Sequence, residues 1–244
     1  MGVHVPFAPV LDVNNNPDNP IINIRSFGED PNAVADLGVA FVRGLQDHGA
    51  VATGKHFPGH GDTGTDSHLE LPIIQVGRER LDAIELVPFR AAIAAGIQGI
   101  MTAHIAVPAI SGETIPATVS HRVLTGLLRA EMGFDGIVFT DAMDMAAVTR
   151  LFPRGEGAVR AVLAGADVIL MPNDVKQAID AIVLAIDEGR LTEGRIDESV
   201  RRLLRLKEDL GLAEERSVPL EMIPQVVGVP PHMEMAREVA ERSI

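Results

Sequence analysis

The chain has 244 residues, of which 46% are hydrophobic and 23% charged, and this composition is typical of a soluble globular protein with one sizeable core. Its 34 acidic and 21 basic side chains give a formal net charge of −13, which argues against binding to nucleic acid or to an anionic membrane surface and favours a small ligand. The absence of cysteine excludes disulfides and thiolate metal sites, and no apolar run approaches the roughly 18 to 20 residues of a membrane span. The N-terminus shows no signal-peptide pattern, which favours a cytoplasmic location, whereas a removed signal would make the protein secreted.

Five short runs rich in valine, isoleucine and phenylalanine predict buried strands, at residues 3–13, 50–57, 99–107, 136–143 and 166–171. Helical patterns lie between and after them, at residues 32–48, 77–95, 121–132, 155–164, 174–188 and 193–210. The alternation of strand and helix indicates a parallel sheet covered by helices, in either a doubly wound layer or a (β/α)8 barrel.

The strand ends favour the barrel, because each predicted strand runs into polar residues at its C-terminal side. Asp12, Lys55, His56, His104 and Asp141 occupy such positions. Polar groups that converge from several strand ends are typical of the catalytic face of a barrel. No glycine-rich motif for a dinucleotide or a nucleoside triphosphate follows any of these strands. We therefore predict an α/β fold of the (β/α)8 TIM-barrel type.

The segment "KHFPGHGDTGTDSH", residues 55–68, predicts a glycine-rich loop loaded with titratable groups. Asp66 stands two residues before His68, and a carboxylate so placed can orient an imidazole and favour its protonated form. The simpler interpretation is that these side chains only satisfy the backbone of the loop. The clustering of charged groups at strand ends favours a functional role, since such groups are costly unless they are used.

A metal site is an alternative interpretation of the same segment. The ligand types of a hydrolytic zinc or manganese centre are supplied by His56, His60, Asp62, Asp66 and His68. Lys55 argues against it, because it brings a positive charge to the place that the cation would occupy.

Two further residues each have a functional and a structural interpretation. Asp141 ends the apolar run "GIVFTDAM" and is either a nucleophile or a helix cap, with Asp144 the better candidate for a helix start. Arg25 could clamp a polar ligand, or it could be a surface arginine paired with Glu29 or Asp30. We expect His104 and Met171 to line or pack the mouth of the barrel rather than to perform chemistry.

Several segments together resemble family-3 glycoside hydrolases of the bacterial β-N-acetylglucosaminidase type. They are "FAPVLDV", "NPIINIRSFGEDP", "KHFPGHGDTGTDSH", "MTAHIAVPA", "GFDGIVFTDAMDM" and "GADVILMP", and the resemblance extends from Val3 to about Leu212. It implies that Asp141 is the nucleophile and that Asp66 and His68 form the acid/base dyad. It further implies that the sugar hydroxyls are held by residues matching Arg25, Lys55 and His56, without a metal or an organic cofactor.

The implied activity is a retaining exo-β-N-acetylglucosaminidase that releases terminal non-reducing N-acetylglucosamine from peptidoglycan fragments through a covalent glycosyl-enzyme. Three alternatives stay open. The same site could perform phosphorolysis, since a histidine acid/base does not repel phosphate as a carboxylate would. The site could instead belong to a metal-dependent hydrolase, or the chain could be inactive on its own.

The resemblance also implies an incomplete barrel, because the family has three strands before the "FAPVLD" strand and only about five of eight are present here. Residues 1–212 would be the C-terminal part of the barrel, and residues 213–244 a linker or strap leading towards a second domain. Open sheet edges would then favour an oligomer or complementation by a missing segment.

Overall fold

A three-stranded parallel sheet forms the centre of the protein, whose computed structural model describes residues 2–64, 70–215 and 217–242. The strands are β1 (Thr53–Phe57), β2 (Gly99–Thr102) and β3 (Ile137–Phe139), which lie in this order. Both pairs are parallel, with Gly99 of β2 opposite Thr53 on one side and Ile137 on the other. Helical connections join them, as parallel strands require.

The first and the fifth predicted runs flank this sheet on its two sides. Val10 forms a parallel bridge with Lys55, and Val168 forms one with Phe139. Backbone hydrogen bonds extend both contacts, from Leu11 N to the Lys55 oxygen (2.6 Å) and from Thr140 N to the Val168 oxygen (3.0 Å). All five predicted segments therefore lie side by side in chain order, consistent with an incomplete (β/α)8 barrel, and the predicted fold class is confirmed.

The helices cover the sheet and connect its strands. They are α1 (Pro31–Gln46), α2 (Arg78–Ala83), α3 (Val87–Ala94), α4 (Pro108–Ser111), a π-helix (Arg122–Glu131), α5 (Ala146–Thr149), α6 (Glu156–Ala164), α7 (Val175–Asp187), α8 (Glu193–Asp209), α9 (Ile223–Val226) and α10 (Pro230–Arg242). Side-chain oxygens of Asp30, Asp174 and Thr192 accept backbone N–H groups at the starts of α1, α7 and α8, as N-cap residues do. No helix in the described part of the chain is long and apolar enough to cross a membrane.

The prediction of one helix over residues 77–95 is wrong, because α2 ends at Ala83 and α3 begins at Val87. Between them Glu85 turns inward, is only 1% exposed, and accepts hydrogen bonds from Arg80 and Asn15. Pro88 then lies in the first turn of α3, the one part of a helix that tolerates proline. The buried carboxylate of Glu85 and the proline at the start of α3 thus divide the predicted helix into two.

Both faces of the sheet are buried, as is usual for parallel sheets. On one face, Phe57 of β1 packs edge-to-face against Phe89 of α3, with ring centroids 5.3 Å apart. On the other face, Met101, Ile137 and Phe139 form a second cluster. Alternate residues of each strand serve the two faces, which is the ordinary periodicity of a β-strand. The boundary predicted between residues 212 and 213 stays a prediction.

The two flanking segments generate a prediction about association. Within the described residues, neither residues 3–13 nor residues 166–171 form backbone hydrogen bonds with a further strand on their outer side. Unpaired strand edges recruit other strands. We expect the 244-residue chain to self-associate in sedimentation velocity, with dilution shifting it towards smaller species. A monodisperse monomer at all concentrations would contradict this expectation.

Candidate active site

A cavity of about 360 Å³ opens where the strands of the sheet end. Side chains from every segment of the sheet contribute to its wall: Phe7 precedes the bridge at Val10, Lys55 belongs to β1, Met101 to β2, Asp141 follows β3, and Leu170 follows the bridge at Val168. A parallel sheet brings the carboxyl ends of its strands to one edge, so residues far apart in the sequence meet here.

Four of the six predicted site residues line this cavity, namely Arg25, Lys55, His56 and Asp141. The other two, Asp66 and His68, lie outside the described residues. Met171 also contributes to the wall, as expected. With His60, which also lines the cavity, the structure gathers two basic side chains, two imidazoles and one carboxylate around a space of the size of a small polar ligand.

Asp12 lies fully buried beneath His56 and fixes the orientation of its imidazole. Its Oδ2 is 2.7 Å from His56 Nδ1, and its two oxygens also accept the backbone N–H groups of His56 (3.1 Å each) and His60 (2.7 Å, to Oδ1). Burial alone would raise the pKa of Asp12, but the neighbouring His56 and His60 outweigh it and hold the pKa below its usual value. His56 therefore donates its Nδ1–H to Asp12. Its other ring nitrogen, Nε2, does not contact Asp12.

The loop after β1 does not form a metal centre in the described part of the chain. His60 Nδ1 lies 2.7 Å from the Thr63 hydroxyl, and Asp62 pairs with Arg80 at 3.4 Å. Burial lowers the pKa of His60, although the charge of Asp12 opposes the shift. Among the described residues no three histidine, aspartate or glutamate side chains are grouped so as to hold a metal ion. Asp66 and His68, two of the five candidate ligands, lie outside these residues.

Asp141 does not cap a helix. Its Oδ1 accepts the N–H of the next residue, Ala142, at 2.8 Å. The following helix, α5, begins at Ala146 with Met145 as its N-cap, so the cap interpretation is wrong for Asp141 and for Asp144 alike. The carboxylate of Asp141 is thus available to the cavity whose wall it forms.

Lys55 and Arg25 contribute positive charge to the cavity that Asp141 also lines. Burial lowers the pKa of Lys55, the charge of Arg25 lowers it further, and Asp141 and Asp12 only partly compensate. Arg25 is exposed, and its Nη1 donates to the Ile21 carbonyl at 3.2 Å.

The surface-pair interpretation of Arg25 is not supported, since it forms no ion pair with Glu29 or Asp30 in the described structure. Asp30 instead accepts the N–H groups at the start of α1. Arg25 thus keeps its guanidinium at the rim of the cavity.

His104 packs behind the cavity, as the sequence predicted, but its contacts are more specific than packing. It is fully buried, its Nε2 donates to the carbonyl of Ala142 at 2.9 Å, and its Nδ1 lies 2.8 Å from the Thr118 hydroxyl. Burial lowers the pKa of His104 in spite of the nearby charge of Asp141. A neutral imidazole therefore holds the backbone directly after Asp141. Its position two residues beyond β2 was the only sequence signal for this contact.

Known proteins resemble this chain over 90% or more of its length. The beta-hexosaminidase A of Pseudoalteromonas piscicida is 36% identical over 264 residues, covering 100% of this chain and 44% of that protein. The solved glycoside hydrolase family 3 beta-N-acetylglucosaminidase of Paenibacillus sp. str. FPU-7 superposes with a TM-score of 0.87 at 52% identity, covering 90% of this chain and 42% of that one.

A third similar structure is the beta-glucoside phosphorylase BglX, with a TM-score of 0.93 at 30% identity, covering 98% of this chain and 45% of that one. The chain spans less than half the length of each of these three proteins. The sequence profile of the glycosyl hydrolase family 3 N-terminal domain matches residues 1–206. Together with a cavity built at the ends of a parallel sheet, this match establishes that the chain belongs to glycosyl hydrolase family 3.

Proposed function

We propose that this chain acts in a retaining exo-β-N-acetylglucosaminidase, which releases terminal non-reducing N-acetylglucosamine from peptidoglycan fragments or related glycosides. The observation that carries the proposal is the cavity that gathers Arg25, Lys55, His56 and Asp141 at the ends of the strands. The names of the hexosaminidase relatives support the same sugar.

In the proposed reaction Asp141 attacks the anomeric carbon, and the bond to the leaving oxygen breaks as His68 gives that oxygen a proton. Water then attacks the anomeric carbon of the glycosyl-enzyme while His68 takes a proton from the water, so the bond between that carbon and Asp141 breaks, the sugar is freed and the carboxylate of Asp141 is restored. Asp66 stabilises the imidazolium of His68. The sequence alone assigns the roles of Asp66 and His68. The scheme requires no metal ion or organic cofactor.

The sugar hydroxyls would be bound by Arg25, Lys55 and His56. His56 donates its Nδ1–H to Asp12, and in the neutral imidazole this tautomer leaves a lone pair on Nε2, which accepts a hydrogen bond from a hydroxyl. Lys55 and Arg25 donate hydrogen bonds to the hydroxyls. The site therefore offers both donors and an acceptor, as a polyhydroxylated ring requires.

Phosphorolysis is the second candidate function, favoured by the similarity to a beta-glucoside phosphorylase and by the two cations of the cavity. Phosphate would replace water as the second nucleophile, and the product would be a sugar 1-phosphate. Product analysis with and without inorganic phosphate separates the two functions. Free N-acetylglucosamine as the sole product at high phosphate would exclude phosphorolysis.

The nucleophile generates the first test of this function. The purified 244-residue chain should hydrolyse an aryl N-acetyl-β-glucosaminide, and Asp141→Asn should reduce turnover by at least about 10³-fold with little effect on folding. A 2-fluoro sugar should label Asp141 covalently. Asp144→Asn is the matched control, because Asp144 is an exposed aspartate three residues away. Labelling of another carboxylate, or an equal loss in the control, would reassign the nucleophile.

The dyad generates a second prediction. His68→Ala should impair glycosides with poor leaving groups most, because only those need a proton on the departing oxygen, and activated aryl glycosides least. Asp66→Asn removes the charge that stabilises the imidazolium, so the pKa of His68 falls and the high-pH limb of kcat/KM moves to lower pH. Equal losses for all leaving groups, with an unchanged pH profile, would mean that the proton donor is another residue.

Lys55 generates a prediction about stability. Because its pKa is lower in the folded chain than in the unfolded one, its charged form is disfavoured by folding, and this cost is fully present at pH values below the pKa of the folded chain. Lys55→Met keeps the apolar stem and removes the charge. We expect the midpoint of thermal unfolding to rise by about 2–4 °C while affinity for N-acetylglucosamine falls.

The control for this test is Lys207→Met, which removes an exposed lysine of α8. It should leave both the midpoint and the affinity unchanged. A lower midpoint for Lys55→Met than for the control would show that the charge of Lys55 stabilises the fold.

A further inference from the structure

Asn19 lies between the first run of the sheet and Arg25, and it is only 1% exposed. Its side-chain oxygen accepts two backbone N–H groups of its own segment, from Ile21 and Ile22, both at 2.8 Å. This turn leads directly into the single helical turn Asn23–Arg25, for which Ile22 is the N-cap residue. One end of the Asn19 amide therefore shapes the segment that carries Arg25.

The other end of the Asn19 amide reaches the loop that follows β1. Its Nδ2 donates to the carbonyls of His60 (2.8 Å) and Gly61 (2.9 Å), and the Thr63 hydroxyl lies 3.3 Å away. Two N–H groups at the oxygen and two carbonyls at the nitrogen leave only one orientation for the amide. The bonds to His60, Gly61 and Ile22 are buried and the bond from Ile21 is partly buried, so competition from water is small.

The loop is also fixed from its other side. A Cβ atom at Gly61 would lie 1.7 Å from the carbonyl oxygen of Val13, so the backbone of the loop presses directly on the first run of the sheet. The backbone N–H of His60 is bound by Asp12, which also binds His56. The backbone of residues 60 and 61 is therefore held in one conformation, and its two carbonyls accept the hydrogen bonds of Asn19 at fixed positions.

We propose that Asn19 is a positioning residue, which sets the place of Arg25 relative to Lys55 and His56. These three side chains line one cavity but belong to two separate segments. Asn19 joins the segments through one rigid, buried amide, so its loss displaces the guanidinium from the sugar. A misplacement of about 1 Å is enough to cost up to about 100-fold in rate. The inference rests on the proposed function for its substrate, N-acetylglucosamine.

Asn19→Asp separates the two halves of this contact. A carboxylate still accepts the N–H groups of Ile21 and Ile22, but its second oxygen faces the carbonyls of His60 and Gly61 and repels them. Asn19→Ser is a neutral second variant, in case the buried charge prevents folding. Its hydroxyl can support the turn but is too short to reach the loop.

The test is a double-mutant cycle with Arg25→Ala, read as kcat/KM on an aryl N-acetyl-β-glucosaminide. Asn19→Asp or Asn19→Ser should reduce kcat/KM by about 10- to 100-fold in the otherwise unchanged chain. In the Arg25→Ala background the same substitutions should reduce kcat/KM by less than about 3-fold, because Asn19 acts on the reaction by positioning the side chain that is already removed. Asn16→Asp is the control, since within the described residues the side chain of Asn16 makes one hydrogen bond, in which Oδ1 accepts the Asp18 N–H, and aspartate retains it. Equal losses in both backgrounds would overturn the inference.

A second readout does not depend on turnover. The Nε–H resonance of Arg25 should shift in Asn19→Ser and Asn19→Asp but not in Asn16→Asp. An unchanged resonance would overturn the inference even if the chain hydrolyses the glycoside. Absence of turnover in the unchanged chain, together with a shifted resonance, would instead overturn the proposed function alone.

Discussion

The buried carboxylate of Asp12 is the interaction on which the site depends. It binds the backbone and the ring of His56 and the backbone of His60, all within 3.1 Å. A carboxylate removed from water is costly, and only such a complete set of donors compensates for it. Because Asp12 belongs to the first run and His56 to β1, the same bonds fasten two neighbouring segments at the edge where the cavity opens.

Charge is distributed unequally between the walls of the cavity. Burial lowers the pKa of Lys55, and the nearby charge of Arg25 lowers it further. On the wall formed by β3, the backbone after Asp141 is bound by a neutral histidine, His104, rather than by a cation. The cations of the cavity thus come from β1 and from the segment after the first run, and the carboxylate of Asp141 comes from the end of β3.

The sequence predicted the sheet well because each strand is a local apolar run with polar residues at its end. Lys55, His56 and Asp141, which end such runs, line the cavity for the same reason, and Arg25 joins them from the segment after the first run. The division of the helix at Glu85 was missed because a buried glutamate looks like an exposed one until its partner, Arg80, is located.

The supporting contacts were missed for a related reason. The bonds of Asp12 to His56 and of Asn19 to His60 join residues more than 40 positions apart. No periodicity or spacing encodes such contacts, because they depend on how two segments approach in space. The roles assigned to Asp66 and His68 stay predictions, since both residues lie outside the described part of the chain.

The donor and the acceptor of each hydrogen bond around His104 can be assigned. With Nε2–H given to Ala142, Nδ1 must accept from the Thr118 hydroxyl, and Thr118 must in turn accept from Thr102, 2.7 Å away. Adding a proton to Nδ1 would require the hydroxyl of Thr118 to rotate, towards the Ala103 carbonyl at 3.1 Å. The imidazole can thus become charged only if its neighbours reorganise together, so moderate acid leaves the backbone beside Asp141 in place.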